Sequence, residues 1–188
     1  MSSTHTLLKS VKQVTAKTLH FLTIAVFFLS ISLSSNAQKK KSSGNNIARI
    51  YTYYLDIKNA LVYNDGVHAK MAANEIHKLV TSQPDKGLNY RQMKVLGDYL
   101  GNLIDDSREI GMTSREQEQR VYLSDLSKSI YGLMKGLRMN TTKIYMQYCA
   151  KNNGYWLSET PVIKNPYYSY QASSSCGKTT EVLGASGY

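Results

Sequence analysis

The sequence predicts a mainly α protein, an antiparallel four-helix bundle with a short irregular or β-hairpin C-terminal tail packed on it. Four segments between residues 46 and 138 repeat apolar side chains at spacings of three and four, which is typical of amphipathic helices with one buried face. Short links between these segments favour antiparallel packing of neighbouring helices. After residue 138, short β-prone pieces separated by Asn, Gly and Pro replace the helical spacing.

Residues 1–37 have the pattern of a secretory signal peptide. They contain three lysines and no acidic residue, then an apolar run from Leu19 to Leu33, then Ser35-Asn36-Ala37. Cleavage is expected after Ala37, because small residues occupy the positions that signal peptidase reads. The alternative is a retained membrane anchor, but the run is shorter than the roughly 20 residues that span a bilayer. We therefore expect a periplasmic or secreted protein with no transmembrane span after cleavage.

The chain is basic, with 23 Lys and Arg against 13 Asp and Glu. Removal of the three signal-peptide lysines leaves 20 basic residues and a net charge of +7. Residues 38–45 are predicted to be a flexible basic leader around Lys39-Lys40-Lys41. Basic patches can attract nucleic acid, but export argues against such a partner, and the other charges are scattered over a solvated surface.

Each predicted helix has its own apolar stripe within the bundle, residues 46–138. The stripes are Ile50, Tyr54, Ile57 and Leu61; Ala69, Ala72, Ala73, Ile76 and Val80; Met93, Leu96, Leu100 and Leu103; and Leu123, Leu126, Ile130, Leu133 and Leu137.

The residues between the stripes indicate where the helices end. Asn45-Asn46 can cap the first helix and Asn64-Asp65-Gly66 can reverse the chain. The segment 82–87 and Gly111 then separate the later helices. Glu116 and Gln117 lie three residues after Thr113 and Ser114, a capping-box spacing that predicts a helix start.

Residues 139–180 are predicted to be an aromatic, cysteine-containing tail that completes the domain. Tyr145–Tyr148, Tyr155–Leu157 and Val162-Ile163 are its β-prone pieces. Such a tail is too short to form its own core, so its aromatic side chains should pack on the bundle. Residues 181–188 are predicted to be a frayed C-terminus.

Three stretches carry a resemblance to a known family: Tyr53–Ile76, Gln119–Lys135, and the tail with "YMQYC", "GYWLSETPVIKNPYY" and "SCG". They resemble an uncharacterised exported helical domain of Bacteroidota-type bacteria. That domain also occurs fused to periplasmic adaptor subunits of copper and silver efflux pumps. The resemblance implies a periplasmic metal-handling context, with an efflux adaptor or another envelope protein as partner.

The family's Cys-Pro-Met and Met-x-x-Cys pairs are its suspected ligands for a soft metal such as Cu(I). In this chain Ala150-Lys151 follows Cys149, and Ser173 stands three residues before Cys176, so both thioethers are replaced.

Cys149 and Cys176, the only two cysteines, leave three possibilities open. An even cysteine count in a loop-rich tail of an exported protein favours a disulfide. Alternatively the two thiolates bind Cu(I), or both cysteines are buried and unpaired. Closing a loop of this length would stabilise the protein by roughly 3 to 4 kcal/mol.

The remaining candidate residues indicate binding more than catalysis. No nucleophile elbow, phosphate-binding glycine loop or His-Glu-x-x-His motif is present, and Asp105-Asp106 fits a charged surface. His68 and His77 are interpreted as ordinary polar positions; the alternative for His68 is a second-rank metal contact together with Met71.

Aromatic side chains of the tail are candidate anchors for a partner, because they present large, rigid contact area. These candidates are Tyr155, Trp156, Tyr167 and Tyr168, with core packing preferred for Trp156. The sequence therefore predicts an exported, non-enzymatic binding protein linked to copper handling or efflux. The alternative is a metal-free, disulfide-closed structural or interaction module.

Overall fold

The structure is a computed structural model that describes residues 42–82, 88–168 and 176–186. The predicted signal peptide, the start of the predicted basic leader and residues 83–87 lie outside the described residues. The elements are α1 (Ser42–Val62), α2 (Gly66–Thr81), α3 (Tyr90–Met112), α4 (Glu116–Leu137), β1 (Ile144–Cys149), β2 (Gly154–Ser158) and β3 (Lys178–Leu183). The predicted fold class, a mainly α bundle with a small β tail, is confirmed.

The predicted apolar stripes form the core of the bundle. Every stripe residue of α1, α2 and α4 is buried, and so are Leu96 and Leu103 of α3. Leu100 is half-buried, while Met93, in the first turn of α3, is 40% exposed. Consecutive helices pack against each other in chain order, whereas α1 and α4 contact each other only slightly.

The chain reversal before α2 follows the predicted chemistry. Asn64 has φ 57°, a left-handed conformation that asparagine tolerates. The Asp65 carboxylate accepts a hydrogen bond from the His68 backbone N–H at 3.0 Å and caps α2.

Two other helix boundaries differ from the prediction. Helix α1 begins at Ser42, so the backbone of 42–45 is helical and not part of a flexible leader; no proline interrupts the chain there. Gly111 lies inside α3. A Cβ at Gly111 would collide with the Asn74 side chain, so this glycine permits close packing of α2 and α3 and does not break the helix.

The predicted capping box at Thr113 and Ser114 is wrong. Helix α4 begins after Arg115 with no side-chain cap. The Glu116 carboxylate instead accepts a hydrogen bond from the Gly66 backbone N–H at 3.2 Å, at the start of α2. An N–H that α2 cannot pair within itself is thereby satisfied from a residue 50 positions away.

The tail forms an antiparallel sheet with strand order β2-β1-β3. β1 and β2 are the two predicted pieces at Tyr145–Tyr148 and Tyr155–Leu157, each slightly longer than predicted. Val162-Ile163 is not a strand; the third strand is Lys178–Leu183. It continues three residues into the stretch 181–188 that the sequence predicts to be frayed.

The two faces of the sheet have different neighbours, because successive side chains of a strand point to opposite faces. Ile144 and Met146 of β1 and Leu157 of β2 belong to the core of the bundle. Gln147 and Trp156 lie opposite each other in the β1–β2 register and are also buried, on the other face. That outer face therefore has a cover of its own.

Tyr54 connects the inner face of the sheet to the bundle. Its hydroxyl is fully buried, accepts a hydrogen bond from the Leu157 backbone N–H at 2.8 Å and contacts Ser127 Oγ at 2.7 Å. Ser127 Oγ donates to the Leu123 carbonyl at 2.5 Å, so Tyr54 donates to Ser127. This chain of hydrogen bonds joins β2, α1 and α4.

Arg120 of α4 makes a second connection. Its guanidinium donates to the Pro166 carbonyl at 2.7 Å, to the Leu61 carbonyl at 2.9 Å and to Asn64 Oδ1 at 2.7 Å. The end of α1 and the tail are thus held to α4 by one side chain.

Across the ranges that the structure describes, none of the helices combines the length and apolar character that crossing a membrane requires.

Candidate functional site in the tail

Cys149 and Cys176 form a disulfide, with Sγ–Sγ 1.97 Å and Cα–Cα 5.3 Å. The antiparallel pairing of β1 with β3 explains why they meet. Tyr148, next to Cys149 at the end of β1, pairs with Lys178 at the start of β3. Cys176 lies two residues before Lys178, so the pairing brings the two cysteines together. The predicted disulfide is confirmed, and in this state neither sulfur is the thiolate that Cu(I) binding requires.

The disulfide borders a small core around Trp156. The Trp156 side chain is fully buried, and Tyr167 meets it edge-on with ring centroids 6.2 Å apart. A Cβ at Gly177 would lie 2.5 Å from Ile163 Cγ2 and 3.0 Å from Trp156 Cη2. Gly177, the residue after Cys176, therefore packs directly against the indole ring and Ile163.

Asn165 joins the two parts of this cover. It is 4% exposed, its Nδ2 donates to the Cys176 carbonyl at 2.9 Å, and its Oδ1 accepts from the Tyr167 backbone N–H at 2.8 Å. We call residues 159–168 with Cys176 and Gly177 the covering segment. The Cys149–Cys176 bond, the buried Asn165 amide and Gly177 hold this segment in place. Gln147 and Trp156, on the outer face of β1 and β2, are buried.

The four candidate partner-binding residues have different environments. Trp156 is buried, which is the core packing that the sequence analysis preferred. Tyr155 is half-buried, with its ring 4.5 Å from the Tyr148 ring and 5.3 Å from the Lys128 ammonium. Tyr167 and Tyr168 are half-buried and line an open groove of about 600 Å³ between the tail and α4.

We call this cavity the tyrosine groove; besides the two tyrosines its lining includes Gln117, Arg120 and Asn153. Burial raises the pKa of Tyr167 above its ordinary value, so its phenol stays protonated and donates to the Tyr155 carbonyl at 2.9 Å. Desolvation by burial lowers the pKa of Arg120, and Glu116 opposes this shift. Its described lining thus offers two aromatic rings, amides and the Arg120 cation, a set suited to binding.

The histidines and acidic residues that the structure describes lie apart from one another or pair on the surface. His68 Nδ1 contacts Asp65 Oδ2 at 2.5 Å on the surface, while His77 Nδ1 contacts the Ile104 carbonyl at 3.2 Å. Met71 is 60% exposed. Within 42–82, 88–168 and 176–186, no three side chains among His, Cys, Asp and Glu converge as metal ligands would.

Asp105 and Asp106 have different environments. Asp105 pairs with Arg108 at 3.2 Å on the surface, as expected. Burial raises the pKa of Asp106 to about 7, and the charges of Asp125 and Asp105 add to the shift. One oxygen of Asp106 is buried without a hydrogen-bond partner among the described residues, a feature that the sequence did not reveal.

The site lies in a helical bundle with a disulfide-closed, sheet-forming tail. A family model described as "Protein of unknown function (DUF3347)" matches residues 50–142. The match supports a domain of unknown function over most of the bundle and ends just before β1. Neither the curated proteins nor the solved structures include a significant match to the chain.

Proposed function

We propose that this protein is an exported, non-enzymatic binding module of the periplasm or cell envelope, closed by a disulfide, that engages a partner protein through the tyrosine groove. The disulfide between Cys149 and Cys176 is the observation that carries the proposal. Such bonds persist in oxidising compartments and are rare in the cytosol of most bacteria. The signal-peptide pattern of residues 1–37 indicates the same destination.

In this proposal the protein is linked to heavy metals because its partner belongs to a metal efflux pump. The resemblance to domains fused to efflux adaptors suggests an adaptor subunit of a copper or silver pump as that partner. The chain's own soft ligands are weak support for copper binding, because the two sulfurs are bonded to each other and the family's thioethers are replaced by Lys151 and Ser173. We therefore favour the metal-free interaction module over a Cu(I) carrier.

A binding role also agrees with the chemistry of the groove. Tyrosine, arginine and asparagine are common at protein interfaces, and the aromatic and guanidinium groups among them supply most of the binding free energy. Tyr168 and Arg120 present such groups at one surface. Arg120 already donates one hydrogen bond to the tail and two to the end of α1 and the turn after it, so the groove is organised before a partner arrives.

A thiol assay tests the disulfide. Protein purified after export without reductant, then denatured, should show no reactive thiol, and reduction should release two. Two reactive thiols before reduction would contradict the proposal.

A copper titration separates the two functions. We expect equal, weak uptake of Cu(I) by the wild type and by a Cys149→Ser, Cys176→Ser variant, measured against a competing Cu(I) chelator. Tight one-to-one uptake by the wild type that is lost in the variant would favour the metal carrier.

Calorimetry with a purified efflux adaptor subunit tests the partner. Tyr168→Ala should weaken binding by roughly tenfold or more, as for an aromatic interface anchor. Tyr90→Ala is the matched control, because Tyr90 is 82% exposed and lies outside the groove. Equal affinities for the two variants would exclude the tyrosine groove as the binding face.

A further inference from the structure

A second open groove lies between α1 and α2, away from the tail, with a volume of about 740 Å³. Tyr53 and Asp56 of α1, Tyr63 of the turn, and Met71 and Glu75 of α2 contribute to its lining. We call it the acidic groove. None of these residues belongs to a stripe that the sequence assigned to the core.

The acidic groove has two large, exposed side chains in its lining. Tyr63 and Met71 are each 60% exposed, and Tyr53 is half-buried at the groove wall. Ala60 and Ala72 also line the groove, and such small side chains allow another chain to approach the backbone of both helices. Exposed apolar surface in a concavity is the usual mark of a binding face.

The charge of the groove is opposite to that of the chain. Three carboxylates line it, from Asp56, Asp65 and Glu75, and no lysine or arginine does, although the chain carries a net charge of +10. Hydrogen bonds from the His68 backbone and side chain lower the pKa of Asp65. Asp56 and Glu75 form no ion pair with any residue that the structure describes.

The lining from Tyr53 to Tyr63 follows α1 for about 15 Å, the length of roughly three helical turns. A short amphipathic helix can lie along such a groove with its apolar side chains against Tyr63 and Met71. Basic residues on its flanks would then reach the unpaired carboxylates. A metal ion fits less well, because no three His, Cys, Asp or Glu side chains among the described residues converge there.

We propose that the acidic groove is a docking site for a basic amphipathic helical segment of a partner protein. This site is separate from the tyrosine groove and does not depend on the role of the tail.

Fluorescence anisotropy with model peptides tests the proposal, using protein purified after export. The probe is a labelled 14-residue leucine–lysine amphipathic helix; the controls replace every lysine by glutamate or every leucine by serine. One-to-one binding of the leucine–lysine peptide, weaker at high salt and absent for both controls, is the expected result. Equal binding of the serine control would show that charge alone explains the binding, and it would overturn the proposal.

Matched variants locate the binding. Asp56→Lys with Glu75→Lys should weaken the peptide by roughly tenfold, whereas Asp98→Lys with Asp105→Lys, the same charge change on α3, should not. Met71→Ser should also weaken binding, whereas Met112→Ser should not, since Met112 is 68% exposed on α3 outside the groove. Equal losses in the groove and control variants would overturn the proposal.

Two other occupants give distinct results. If a second copy fills the groove, sedimentation will show a dimer that Asp56→Lys with Glu75→Lys converts to a monomer. If the chain's own Lys39-Lys40-Lys41 fills it, replacing these lysines by glutamine will strengthen peptide binding. Either result would contradict a site that is open to a partner; an unchanged monomer with unchanged affinity supports the proposal.

Discussion

The bundle and the tail are stabilised in different ways. The bundle buries repeated apolar stripes from four helices, so many interchangeable contacts share its stability. The tail depends on a few specific contacts: the Cys149–Cys176 bond, Asn165, Gly177 and the Tyr54 hydroxyl. A three-stranded sheet is too small to supply a large core, and specific contacts replace the missing apolar area. Mutations should therefore be tolerated unequally in the two regions.

Loss of the disulfide should have the largest effect. We expect a Cys149→Ser, Cys176→Ser variant to lose about 3 to 4 kcal/mol of unfolding free energy, because the bond closes a loop spanning 27 positions. Chemical denaturation followed by circular dichroism measures the loss. The far-ultraviolet signal of the helices should remain at zero denaturant. Collapse of the helical signal in the absence of denaturant would show that the bundle does not stand without the closed tail.

Removal of the Tyr54 hydroxyl should come next. Tyr54→Phe leaves the buried Leu157 N–H without an acceptor, which should cost about 2 kcal/mol. Tyr90→Phe, at a side chain that is 82% exposed, should change stability by less than about 0.5 kcal/mol. Equal effects of the two substitutions in denaturant titrations would mean that the hydroxyl does not hold the sheet on the bundle.

A pair of glycine substitutions compares the two regions directly. Gly177→Ala should destabilise the tail by about 1 to 2 kcal/mol, because the added methyl group presses on Ile163 and Trp156. Gly101→Ala in α3, with nothing within 4 Å of the new Cβ, should stabilise by about 0.5 to 1 kcal/mol through helix propensity. The midpoint of thermal unfolding should fall for Gly177→Ala and rise for Gly101→Ala. Shifts in the same direction would contradict the different packing of the two glycines.

The last effect concerns Asp106 and depends on pH. Its folded-state pKa of about 7 lies above the roughly 3.9 of an unfolded aspartate. The folded state therefore holds the proton more tightly, and this contribution to stability is complete below about pH 4 and is lost as the pH rises toward 7.

Asp106→Asn keeps the neutral form at every pH. We expect it to stabilise the protein at pH 8 by about 1 kcal/mol, because partial exposure reduces the full linkage value. At pH 4 the difference should vanish. Asp105→Asn, at an exposed carboxylate paired with Arg108, should give no such stabilisation. A gain of the same size there would show that removing any negative charge stabilises the protein, whether or not the carboxylate is buried.

The sequence predicts the bundle well because its evidence is local and repeated. Within each stripe, apolar side chains recur every third or fourth residue. The prediction of a helix therefore does not depend on a single residue such as Met93, which is exposed. Helix ends are less predictable: the Glu116 side chain fits a capping box by spacing, yet its partner is Gly66, distant in the sequence.

The tail illustrates the limit of local patterns. Val162-Ile163 has the composition of a strand but lies outside the sheet, in the covering segment. Lys178–Leu183 has mostly exposed side chains and is a strand because it pairs with β1. The cysteine pairing was predictable from the count and the expected compartment. The acidic groove was not, since it depends on which sides of α1 and α2 meet.

The central claim, that the disulfide holds the covering segment over Trp156, can be measured by acrylamide quenching of the fluorescence of this single tryptophan. In the oxidised protein we expect blue-shifted emission and little quenching, and both should change toward solvent-exposed values after reduction or in the Cys149→Ser, Cys176→Ser variant. Emission from the oxidised protein that is already quenched as efficiently as that of free tryptophan would contradict the account.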